Sequence, residues 1–104
     1  MTKKVYMIRS EISRLVYIGS TSLNLSKRLS LHKSRYQRRE AGQPVPDCAV
    51  SRIFKVDPNP SIMLLSEYND DSELLRYHEQ NFIDEYSQCP YYKVVNIRRA
   101  WTPK

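Results

Sequence analysis

Apolar residues run together without interruption in two short stretches near the start of the chain. From Lys3 to Arg9 these are Val5, Tyr6, Met7 and Ile8; from Arg14 to Ile18 they are Leu15, Val16, Tyr17 and Ile18. Both runs are rich in β-branched and aromatic side chains, and the mostly polar SEIS between them supplies a turn, so they predict a β-hairpin. If the turn is centred between Glu11 and Ile12, position i pairs with 23 minus i. Tyr6 then lies directly opposite Tyr17, with both rings on one side of the ribbon.

After Gly19 the period changes. The segment STSLN is dense in residues that cap helices, and Leu25, Leu29 and His32 then recur at helical spacing. This predicts a helix over about 25–38, with Arg28 and His32 four residues apart on one face. Gly42, Pro44 and Pro46 interrupt the pattern as a loop, CAVSRIFK is ambiguous, and DPNP ends it. A third strand is expected over about Ser61 to Ser66. Asp70 with Glu73 forms a capping signature before a second long helix, near 72–86, whose stripe is Leu75, His78, Phe82, Ile83 and Tyr86. Glu79 falls within that stripe. An unpaired carboxylate among apolar neighbours is costly, so Glu79 calls for a place at the stripe's edge or for a partner such as a cation. The tail contributes one short apolar run ending at Asn96. The expected fold is α+β: a small, mainly antiparallel three-stranded sheet flanked by helices, one domain over residues 1–104.

Composition narrows the classes. The 104 residues, 40% apolar and with two glycines, suit one compact unit without long flexible linkers. A net charge of +6 and a pI near 9.5 point to a polyanionic partner, with nucleic acid first. The two cysteines, Cys48 and Cys89, sit in no CxxC or Cys/His cluster, which indicates neither a disulfide framework nor a zinc site. No apolar run reaches membrane-spanning or signal-peptide length, so a soluble intracellular protein is expected.

Tyr6 after Lys4 and Val5, then Tyr17-Ile18-Gly19, Arg28 and His32 on one helix, Glu79 on a later one and Asn96 near the end resemble, in that order, the GIY-YIG nuclease family. The resemblance covers nearly the whole chain. It departs in the first motif, where Lys4 and Val5 stand for Gly and Ile while Tyr6 is kept. The stretches VYIGSTSLNLSKRLSLHKSRY and SEYNDDSELLRYHEQNFID are most similar to the small stand-alone members common in phages and large DNA viruses, which act in a host cell.

In-line cleavage of a phosphodiester needs an activated water, a cation against the charge developing on the phosphoryl oxygens, and help for the departing 3′-oxygen. The resemblance implies that Tyr6 is the general base, with His32 accepting or relaying its proton. Arg28 would hold the scissile phosphate, Tyr17 would bond the phosphate or the water, and Gly19 would let backbone approach the substrate. Glu79 would ligate a single Mg2+, for which Mn2+ could substitute, and Asn96 would orient its waters or close the site. A free tyrosine has a pKa of about 10, so Arg28, His32 and the metal must lower that of Tyr6. Lys33, Arg35, Arg38 and Arg39 continue the first helix around Tyr36, a pattern suited to tracking a DNA backbone with a ring for stacking. Arg98, Arg99 and Trp101 repeat it more weakly.

Each residue has a plainer explanation. Facing tyrosines stabilise hairpins, basic helix faces are often merely solvated, and Glu79 could pair with Arg76. Two other functions stand against cleavage: a catalytically silent nucleic-acid-binding module of the same fold, and an unrelated basic RNA-associated protein without a metal site. Only eight residues follow Asn96, so specificity on double-stranded or branched DNA is expected to be low, or to come from a homodimer or a partner protein.

Overall fold

The structure, a computed structural model, describes residues 2–44, 49–69 and 72–96, apart from the side chains of 72 and 73. Cys48, the capping signature of Asp70 and Glu73, and Arg98, Arg99 and Trp101 lie outside the described residues. In chain order the elements are β1 (Lys3–Arg9), β2 (Leu15–Thr21), α1 (Leu25–Glu40), α2 (Ser51–Val56), β3 (Ser61–Tyr68), α3 (Ser72–Ser87) and β4 (Lys93–Val94). The class is α+β, as expected, but the sheet has four strands in the order β3-β1-β2-β4. The strand beyond the expected three is β4, which runs parallel to β2 and makes the sheet mixed.

The central place of β1 explains its unbroken apolar run, because both of its faces are covered. Val5 and Met7, with Val16 and Ile18 of β2, pack under Leu75 and Ile83 of α3. Tyr6 and Ile8 point the other way, into a cluster with Ile53 and Phe54 of α2 and Val50 just before it, flanked by Leu25 and Leu29 of α1. Strand alternation therefore sends neighbouring residues of one motif to opposite faces of the sheet. On α3, His78 stacks on Tyr68 of β3 with centroids 4.0 Å apart.

The hairpin register differs from the expected one. Tyr6 pairs with Gly19, and Tyr17 with Ile8. The shift is two residues, so the tyrosines still share a face but stand diagonally. Its cause is the turn. Ser10 Oγ accepts from the amides of Ile12 and Ser13 at 3.1 and 2.9 Å and donates to Asp57 Oδ2 at 3.0 Å. The Glu11 amide donates to the same Asp57 oxygen at 3.0 Å. Asp57 thus organises a loop over residues 11–14 from 46 to 47 positions away in the chain. Burial alone would raise its pKa, but the amides of Asn59 and Glu11, the Ser10 hydroxyl and the Ile12 amide together hold it below the usual value.

At its start α1 is capped as the sequence predicts, Asn24 Oδ1 accepting from Lys27 N at 3.2 Å. It stops where Gly42, at φ +86°, lets the chain turn back, the Gly42 and Gln43 amides closing on Arg39 and Arg38 carbonyls at 3.0 Å. Strand β3 runs past the expected Ser66 to Tyr68 because its pairing with β1 resumes after a register shift at Val5/Tyr6. Among the described residues no helix is long and apolar enough to cross a membrane.

Candidate active site

Tyr6 ends in a hydrogen-bonded chain between two residues of α1. Arg28 Nε donates to its hydroxyl oxygen at 3.2 Å, and the same oxygen lies 2.8 Å from His32 Nε2. Since Arg28 can only donate, the phenolic proton is assigned toward His32 Nε2, with the imidazole's own proton on Nδ1. That requires a neutral ring. Burial, then the charges of Arg28 and Arg35, lower the His32 pKa to about 4, so the ring is uncharged at neutral pH. The helical spacing read from the sequence is what aligns this chain: Leu25, Leu29 and Tyr36 face the sheet with His32, and Arg28 sits beside them.

Tyr17 completes a triangle of rings, with centroids 6.4 Å from Tyr6 and 5.6 Å from His32. It is half-buried, whereas Tyr6 is wholly covered. Gly19 proves to be fitted to Tyr6. A Cβ built on it would lie 2.5 Å from the Tyr6 hydroxyl and 2.7 Å from its ring. The tyrosine lies across the glycine, so the absence of a side chain there makes room for Tyr6.

Glu79 comes from the opposite side of the sheet. It is half-buried on α3, and burial raises its pKa, offset by a hydrogen bond from the Ser20 side chain and by the charges of Arg76 and Arg28. Ser20 follows Gly19 on β2 and, by alternation, faces α3 where Gly19 faces α1. The sequence reading missed Ser20, although strand parity alone would have placed it with Ile18. Arg76 influences Glu79 by charge, but among the described residues the two form no ion pair within 4.0 Å; the pair that does form is Arg9 with Glu11. The half-buried position matches the stripe's edge.

Asn96 is placed by its backbone contacts. Its Oδ1 accepts from the Ile18 amide at 3.0 Å, and its Nδ2 donates to the Ile18 carbonyl at 2.7 Å, extending the β2–β4 ladder beyond Val95 N on Val16 O at 2.9 Å. Both ends of this amide are therefore turned to β2 and not to the Tyr6 cluster. Of the basic residues expected to meet DNA, Lys33 bonds Asn59 Oδ1 at 3.3 Å, while Arg35, Arg38 and Arg39 are exposed along α1. Tyr36, expected as a stacking ring for a base, instead stacks on Phe54 at 5.4 Å and packs into the core, a long-range contact its basic neighbours concealed.

Among the described residues no three His, Cys, Asp or Glu side chains converge on a metal-sized space. The donor set does fit one hard cation held jointly with substrate: Mg2+ commonly takes one or two carboxylates and completes its shell with phosphate and water, and a partly buried carboxylate gains from such a charge.

A family model described as the GIY-YIG catalytic domain matches residues 3–93, leaving Asn96 just outside the match. No curated protein and no solved structure matches the chain. The family match removes the expectation of an unrelated RNA-associated protein. With residues 3–93 of its 104 matched and the two tyrosines, glycine, arginine and histidine gathered at one end of the sheet, the chain belongs to the GIY-YIG family of nucleases.

Proposed function

We propose that the protein is a divalent-metal-dependent endonuclease that hydrolyses DNA phosphodiester bonds. The observation that carries this reading is the chain from Arg28 Nε through the Tyr6 hydroxyl to His32 Nε2. It joins a phosphate-seeking cation, a phenol and a neutral proton acceptor within one contact of each other.

Tyr6 acts as general base, taking a proton from water as its own moves to His32 Nε2. In the free protein Tyr6 is fully covered, with Arg28 lying against its oxygen. The Arg28 side chain makes no hydrogen bond other than that to Tyr6 among the described residues, so its terminal nitrogens are the donors that meet the scissile phosphate, for which a planar fork suits better than an ammonium. Moving onto the phosphate uncovers the Tyr6 hydroxyl. It also relieves one of the charges that depress His32, so substrate binding makes the imidazole a better acceptor when it is needed. Tyr17 bonds the phosphate or the attacking water. Gly19 keeps the Tyr6 ring in place.

GIY-YIG nucleases are generally divalent-metal dependent. Glu79 would hold the ion, proposed to be Mg2+, which would supply Lewis acidity for phosphodiester cleavage. The Ser20 side chain, on the β2 side, favours ionisation of the Glu79 carboxylate. Arg35, Arg38, Arg39 and Lys33 give α1 a basic flank for the DNA backbone.

The test is cleavage of supercoiled plasmid with Mg2+ and with EDTA. Glu79→Gln keeps size and removes the charge; the fold and DNA binding should persist while cleavage falls by orders of magnitude. A folded Glu79→Gln protein that cuts at near wild-type rate in saturating Mg2+ refutes the mechanism, and a wild type that binds DNA without cutting establishes the silent binding module instead.

A further inference from the structure

Lys4 occupies the position at which the family motif has its first glycine, and that departure places a cation on the active face. Strand alternation puts Lys4 on the same side of β1 as Tyr6, toward the strand end, where Lys4 pairs with Thr21 as Tyr6 pairs with Gly19. Two residues of strand separate Lys4 from Tyr6 by roughly 7 Å, about the interval between neighbouring phosphates of one DNA strand.

The surroundings of the Lys4 amine are those of an anion site. Its hydrogen bond is to the Leu23 carbonyl at 3.5 Å, long for such a contact, so an ammonium with three donors is held with weak satisfaction. Leu23 immediately precedes the Asn24 cap, which sets the amine beside the N-terminus of α1. No acidic residue lies in the first turn of that helix, while Lys27 and Arg28 do. The Lys4 amine is thus bonded at the positive end of a helix dipole whose first turn carries two further basic residues and no acidic one. Glu67 of β3 is the cross-strand partner of Lys4, yet the two form no ion pair within 4.0 Å among the described residues.

We propose that Lys4 is a phosphate-binding residue which grips the phosphate adjacent to the scissile one, so that Arg28 and Lys4 hold two successive phosphates of the cut strand. The proposal rests on the reading of Arg28 and Tyr6 as the DNA-cleaving centre. A lysine suits the role because a compact ammonium on a flexible stem accepts a phosphate from many directions and reads no base, giving a sequence-independent grip that glycine at this position does not offer.

The experiment measures duplex binding against salt concentration in EDTA, where no cutting occurs. Lys4→Met keeps the length of the stem and removes the charge; it should lower the slope of log affinity against log salt by about 0.9, the loss of one phosphate contact. Lys4→Arg should restore the slope, and Lys4→Gly should match Lys4→Met. Lys93→Ala, exposed at the opposite end of β2 where Lys93 pairs with Leu15, should leave it unchanged. A single neutral methylphosphonate beside the mapped cut should weaken wild-type binding several-fold and leave Lys4→Met unaffected. If folded Lys4→Met keeps the full slope, or if the neutral linkage and the substitution weaken binding independently, the role of Lys4 is refuted while cleavage stands. A wild type that neither binds nor cuts DNA removes the reading of the centre itself, and Lys4 with it.

Discussion

Replacing Gly19 by alanine tests the geometry of the site more directly than removing any polar group, because it adds a single methyl and no charge. That methyl would sit 2.5 Å from the Tyr6 hydroxyl, 2.7 Å from the ring carbon bearing it and 3.0 Å from Tyr17. Ordinary contact between heavy atoms is about 3.5–4.0 Å, so the tyrosine must withdraw by about 1 Å. It has little freedom to do so, being fully buried between β2 and α1. Overpacking of this kind costs about 1–3 kcal/mol of stability. A 1 Å withdrawal also breaks the 2.8 and 3.2 Å contacts to His32 and Arg28. Misplacing a reacting group by that distance lowers the rate by about 100-fold. Gly42→Ala is the matched control: it forces an L side chain into φ +86° at about 1–2 kcal/mol, but with nothing within 4 Å of the new methyl and no link to the site. Chemical denaturation with plasmid cleavage should show both variants destabilised and only Gly19→Ala slow. Cleavage by Gly19→Ala within twofold of wild type would refute the claim that the glycine positions Tyr6.

Other consequences follow from particular contacts. The folded-state pKa of His32, about 4, lies below its ordinary 6.5, so the unfolded chain binds a proton first as pH falls; stability should drop between about pH 6.5 and 4 by up to about 3 kcal/mol, and His32→Gln should flatten that part of the denaturation profile. The Asp57 pKa is depressed as well, so its contribution is present above the unfolded carboxylate pKa and disappears as pH falls through the folded one; Asp57→Asn should weaken the fold at neutral pH and narrow its margin over the acid state, measured by thermal melts. Asn96→Ala leaves the Ile18 amide and carbonyl without their partner and should cost about 1–3 kcal/mol, with the Mg2+ concentration for half-maximal cleavage unchanged; a shifted Mg2+ requirement at unaltered stability would return Asn96 to the metal.

What could be read from the sequence was local. The runs of β1 and β2, the capped start of α1 and the stripe of α3 each carry their period within a few residues, and their bounds emerge within a few positions. The hairpin register does not, because Asp57, far along the chain, holds the turn. Strand β4 is two residues long and exists only through its pairing with β2, so no alternation could announce it. The site shows the same division. Arg28 and His32 share a helix face by spacing alone, but that Tyr6 lies between them depends on which side of the sheet α1 covers. Tyr36 sits among cations and reads as a surface ring, whereas a contact with α2 makes it core.

The two halves of the proposed chemistry lie on opposite faces of one sheet. Tyr6, Tyr17, Gly19, Arg28 and His32 occupy the α1 side, and Glu79 with Ser20 the α3 side. The backbone of β2 separates them except at its end, where Gly19 and Ser20 are consecutive and face opposite ways. In the proposed mechanism this arrangement separates the Glu79 carboxylate from the phenol that passes on its proton, so that like charges do not share one pocket. Arg28 is the group whose charge reaches both halves, lowering the pKa of His32 on one face and of Glu79 on the other. A single cation between the imidazole and the Glu79 carboxylate favours ionisation of the carboxylate while it suppresses protonation of the imidazole. Both are states that the proposed mechanism requires before substrate arrives, and in that mechanism a phosphate that draws Arg28 outward would change the two together.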